Sequence, residues 1–151
     1  MYKMTFDAKV KKFNDFYEKF KSVDIRGKAR CLNINYDSID VAVDKEAVFK
    51  IASSMISSIM RGNFTSEVFC AAVAVICDDK GVSYKKHCGF ALPVGIDNYE
   101  KNLKQFEEKK ASGVEHPLFA NHIYLEVSGT SYDLFKNVLF DKVNHLDCSE
   151  F

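Results

Sequence analysis

Apolar and polar residues alternate through Ile123, Tyr124, Leu125, Glu126 and Val127, the pattern of a strand with one buried face. Ser128–Gly129 then allows a tight turn, and Tyr132–Asp133 runs back beside the strand. Elsewhere the period is helical. Val10, Phe13, Tyr17 and Phe20 recur at helical spacing, which predicts an amphipathic helix over Phe6–Val23 with lysines on its other face. Asp24–Gly27 breaks that helix, and Ala29–Tyr36 reads as a short strand carrying Cys31, Leu32 and Ile34. Asp37–Asp44 reads as a loop or a weak strand through Val41–Val43. Asp44 is placed to cap a helix with the buried stripe Val48, Ile51, Met55 and Ile59, stopped by Arg61 and Gly62.

The segment from Thr65 to Cys77 is almost wholly apolar, so its period does not separate a buried helix from a buried strand. Three alanines and the Thr-Ser-Glu start favour a helix capped at Thr65. Val73, Val75 and Ile76 favour a strand, and Asp78–Asp79 would oppose a helix dipole. The helix is the reading adopted. A strand over Val82–Val94 follows, with His87 and Cys88 on opposite faces. Then come a charged helix over Asp97–Ala111 and a loop over Gly113–Ala120. A closing helix is expected over Leu134–Val143, starting as early as Tyr132 in the alternative reading. The sum is one α+β domain over residues 1–151, a mostly antiparallel sheet of about three to five strands packed with four or five helices.

Composition changes this picture little. Lys+Arg and Asp+Glu both number 21, so no net charge calls for nucleic acid, and no uncharged apolar run approaches a membrane span. No repeat or phosphate-binding glycine loop is present. The lysines at positions 9, 11, 12, 19 and 21 read as a solvated face. Five cysteines without a CxxC pair argue against a disulfide scaffold and against structural zinc. They point to a reduced, cytoplasmic chain, and the N-terminus shows no apolar signal core.

Chemistry enters through order along the chain. Ser66 opens the buried segment that ends at Gly81, a strand follows, His122 opens the next strand, and Asp133 lies across its turn. A neutral imidazole oriented by a carboxylate is a general base for a nucleophile. The motif His122-Ile-Tyr-Leu-Glu126-Val127, then Gly129 and Tyr132–Asp133, resembles the transglutaminase-like branch of the papain-type cysteine peptidases. In that branch a nucleophile starts a buried helix, a strand follows, and the histidine begins a strand of the form His-x-aromatic-x-Glu-Val. Small leader peptidases that trim ribosomal peptide precursors belong to it. The resemblance covers residues 62–133. It implies an amide hydrolase or acyltransferase acting on a peptide or protein, with Ser66 in the nucleophile position, His122 as base and Asp133 as orienting acid. It implies no metal and no organic cofactor. The departure from the family pattern is the serine, since a hydroxyl is essentially unionised at neutral pH. Three accounts stay open: an introduced Cys-to-Ser replacement, an inactive relative that only binds, or Cys70, one turn on, as the true nucleophile.

The rival reading is a small intracellular binding or inhibitor protein without catalysis, acting on a protein partner. Abundant Lys, Phe and Tyr with two Pro and no Trp fit an AT-rich genome of phage or bacterial type, where short inhibitors are common. Neither reading expects nucleic acid or membrane as partner, and the sequence leaves the oligomeric state unspecified.

Overall fold

The computed structural model describes residues 2–93, 104, 108, 120–133 and 140–149, with side chains described over 7–88, 104, 108 and 123–133. Among the described residues four α-helices come first: α1 (Tyr2–Phe20), α2 (Ile25–Cys31), α3 (Lys45–Ser57) and α4 (Ser66–Lys80), with a 3₁₀ turn at Tyr36–Ser38. Four strands follow: β1 (Lys85–Pro93), β2 (Ala120–Val127), β3 (Thr130–Tyr132) and β4 (Phe140–Ser149). The sheet order is β3-β2-β1-β4, and every pairing is antiparallel. This is the expected α+β class.

Helix α4 is the hub. Every residue from Ser66 to Cys77 is buried, so the segment is apolar because neighbours cover it all round. Its alanines at 71, 72 and 74 let those neighbours come close. Phe13 and Phe20 reach it from α1, while Ile51, Met55 and Ile56 come from α3. Ile123, Leu125 and Val127 come from β2, each fully buried. Removing one such aliphatic side chain down to alanine costs about 2–5 kcal/mol, because the void does not close fully.

The ends of α4 explain why the helix wins over the strand. Gly81 takes the left-handed conformation, φ +69°, and the Val82 amide donates back to the Cys77 carbonyl at 2.8 Å. The two aspartates that should oppose the dipole are engaged sideways. Asp78 accepts from the Tyr17 and Tyr84 hydroxyls, and Asp79 accepts from the Tyr36 hydroxyl at 2.7 Å. The Asp78 contact pushes the Tyr17 hydroxyl up to about 12, with burial adding.

Several expectations are corrected. Residues of the expected strand Ala29–Tyr36 instead end α2 and enter the 3₁₀ turn. Asp24 supplies the reason: its carboxylate accepts from the Gly27 amide at 3.1 Å and starts a helix whose Ile25 and Ala29, one turn apart, are buried. Val41–Val43 is a turn rather than a weak strand. Asp44 does precede α3, but its carboxylate accepts from the Asp40 amide at 2.9 Å and does not cap the helix. Thr65 likewise precedes α4 without a side-chain cap bond. Helix α3 ends at Ser57, short of Arg61–Gly62. Residues 140–143 of the expected closing helix Leu134–Val143 begin β4, which pairs with β1 (Leu146 beside Phe90, His145 beside Ala91). Pairing with a strand some fifty residues earlier overrides the local spacing. Residues 134–139, the loop from Gly113 to Phe119 and the helix expected over Asp97–Ala111 lie outside the described residues, apart from Lys104 and Glu108, both helical and exposed.

The hairpin expected at Ser128–Gly129 forms. Both residues have positive φ, 49° and 83°, as a two-residue turn between right-twisted strands requires. It pairs Leu125 with Tyr132, Glu126 with Ser131 and Val127 with Thr130. The Tyr132 hydroxyl donates to the Val41 carbonyl and the Thr130 hydroxyl to the Ala42 carbonyl, tying β3 to the loop before α3.

Candidate active site

Ser66 is the first helical residue of α4 and is nine-tenths buried. Thr65 before it is extended, φ −93° and ψ 171°. The first amides of a helix have no intrahelical acceptor, and the N-terminal end carries partial positive charge. Glu67, the next residue, is buried and paired to Lys9 of α1 at 2.6 Å. Burial opposes its ionisation, but hydrogen bonds from Lys9 and Thr65 and the lysine charges outweigh burial and hold the carboxyl below its ordinary value. The start of α4 is therefore clamped against α1, with a carboxylate suited to the dipole.

Cys70 lies one turn further on. Its thiol is fully buried and donates to the Ile123 carbonyl at 3.8 Å. Burial pushes it well above its ordinary value, with Asp133 and Glu67 adding to the rise. A thiol kept neutral in this way is a poor nucleophile, which argues against Cys70 as the reacting group. Its contacts are nonetheless informative. They place the first turns of α4 against the backbone next to His122, and they bring Asp133 within electrostatic reach of the helix.

His122 is the third residue of β2, and its backbone pairs with Gly89 of β1. Its side chain lies outside the described residues. Asp133 follows directly on β3 and is nine-tenths buried. So α4 runs into Gly81, β1 follows, β2 carries His122 in the interior of the sheet, and β3 delivers Asp133. Ser66 is four residues from Cys70, about 6 Å along the helix axis. Cys70 touches the residue adjoining His122 and feels Asp133.

Beside Asp133 a cleft of about 460 Å³ opens between α3 and the end of β3, with Phe49, Phe69 and Tyr132 among its walls. Sequence reasoning missed this cleft, because its aromatic residues come from three separate elements. It also missed Glu67. The buried carboxylate is legible only once Lys9 is known to lie across from it.

Among the described side chains the imidazole is that of His87, since the side chain of His122 lies outside them. Its ring stacks on Tyr124 at 4.5 Å between centroids, and Nε2 lies 3.1 Å from Glu126. Its neighbour Cys88 is fully buried. The two thus face opposite sides of β1, as the alternation of a strand demands. No group of three or more metal-ligating side chains occurs among the described residues. No helix among them is long and apolar enough to cross a membrane.

No protein-family model, curated protein or solved structure matches this chain.

Proposed function

We propose that residues 66–133 form an acyl-transfer site of the papain/transglutaminase-like kind, built to hold a peptide or protein at an amide carbonyl. Ser66 takes the nucleophile position, His122 the base and Asp133 the orienting acid. The backbone amides that open α4 receive the oxyanion. With a hydroxyl where this chemistry works best through a thiolate, turnover is slow and binding of the partner dominates. The reading needs no metal or organic cofactor, and a reducing cytoplasm suits the buried free thiols at 70, 77 and 88.

The observation that supports it is the position of Cys70. One turn after Ser66, that residue contacts the carbonyl adjoining His122 and senses the buried Asp133 carboxylate. That contact supports the reading by setting the first turns of α4 against the stretch of β2 that carries His122. The test restores sulfur. In Ser66→Cys protein at pH 7, iodoacetamide should alkylate position 66 about tenfold or more faster than the exposed Cys31, as a thiolate beside a helix start and an imidazole requires. Adding His122→Ala should remove that advantage. Alkylation of position 66 no faster than Cys31 would overturn the reading.

A further inference from the structure

The cleft between α3 and β3 has an aromatic wall and a charged mouth that the acyl-transfer reading does not use, although Asp133 at its floor belongs to that reading. Its inner wall is aromatic: Phe49 packs against Phe69 with ring centroids 5.4 Å apart, and Tyr132 closes the end. Phe69 and Tyr132 are almost fully buried, whereas Phe49 is half-buried and offers ring surface to the cleft. The mouth is charged. Lys50 pairs with Glu46 at 3.6 Å, and all three mouth residues, Lys45 included, are exposed. Lys45 has its ammonium 5.9 Å from the Tyr132 ring centroid and makes no ion pair among the described residues. The remaining carboxylate, Asp133, sits deep and close enough to α4 to raise the thiol of Cys70. The mouth therefore holds two lysines to one carboxylate, with aromatic surface in the middle and a second acid, Asp133, at the floor.

We propose that this cleft binds an aromatic ring carrying a carboxylate. The ring packs on Phe49, and the carboxylate stays at the mouth beside Lys45. The volume, about 460 Å³, admits a single ring with its linker. An aromatic amine is disfavoured because its ammonium would meet Lys45, while the mouth carboxylate, Glu46, is already paired with Lys50. An uncharged ring forfeits the ammonium contact. The shared chemistry belongs both to a small aromatic acid and to a peptide ending in phenylalanine.

The test is a titration followed by amide and aromatic NMR on the unmodified chain, so it is independent of the chemistry at position 66. The probes are 3-phenylpropionate, its primary amide, and acetyl-Gly-Gly-Phe with a free C-terminus. Expected are saturable shifts at Phe49, Phe69 and Tyr132 with at least one carboxylate. The amide should bind about fivefold more weakly, in keeping with one solvent-exposed charge contact. Lys45→Glu, at an exposed site that leaves the core untouched, should weaken the carboxylates by about tenfold while the amide changes little. Added salt should narrow the gap between acid and amide. Tighter binding of the tripeptide would name a peptide end, and tighter binding of 3-phenylpropionate a small acid. Absence of saturable shifts at the three rings, equal binding of acid and amide, or indifference to Lys45→Glu would each overturn the proposal.

Discussion

At the scale of single residues, burial decides which of the described thiols can react. Cys31 is exposed, whereas Cys70, Cys77 and Cys88 are buried. Burial lifts the Cys70 thiol well above its ordinary value and pushes Cys77 up to about 12. Of these four, only Cys31 should react with a disulfide reagent at pH 8 in the native protein, and the other three only after denaturant. Mass mapping of the labelled peptides reads this directly, and fast labelling of Cys70 would show its packing here to be wrong. Glu67 gives a pH signature. Its carboxyl is held below the ordinary value of 4.5 by Lys9, so the pair's stabilisation is present above that value. It fades as pH falls through the lower folded value. The stability gap between the native sequence and Glu67→Gln should therefore be widest near neutral pH and should close in acid. At neutral pH, Lys9→Ala leaves a buried carboxylate without its main partner and should cost about 2 kcal/mol by urea unfolding.

At the scale of elements, the sequence announced its amphipathic and alternating stretches well. The Val10, Phe13, Tyr17, Phe20 stripe became α1, and the alternation Ile123–Val127 became β2 with the turn expected after it. Two elements were misread for physical reasons. Cys31, Leu32 and Ile34 look like strand residues locally, but the Asp24 cap commits the chain to helix four residues earlier. Residues 140–143 have a spacing compatible with a helix, yet the ladder to β1 absorbs them, and such long-range pairing leaves no local trace. Gly81 was legible as a stop. At φ +69° with open space around a would-be Cβ, Gly81→Ala should cost about 1 kcal/mol from backbone strain alone. A cost near zero in chemical denaturation would mean that α4 does not end there in a left-handed turn. Tyr132→Phe should cost about 1–3 kcal/mol, because it strips the buried Val41 carbonyl of its donor.

At the scale of the whole molecule, one helix covered by two others and by a sheet face makes the core, and the candidate site sits where that helix begins. The order of Ser66, His122 and Asp133 was readable from sequence. What was not readable is that α4 lies against β2, with Cys70 in contact with the carbonyl of Ile123. The aromatic cleft was unreadable for the same reason: α3, α4 and β3 meet only in three dimensions. The central claim is that the start of α4, with His122 and Asp133 at hand, forms an environment that favours a negative charge on the nucleophile. The most direct measurement is the ionisation of the thiol in Ser66→Cys, followed by absorbance and by the pH dependence of alkylation. Helix start and imidazole should bring its pKa to about 6–7, below the free value of about 8.5, and His122→Ala should return it toward that value. A thiol that titrates at or above the free value, unmoved by His122→Ala, would mean that burial dominates and that no acyl-transfer site exists there.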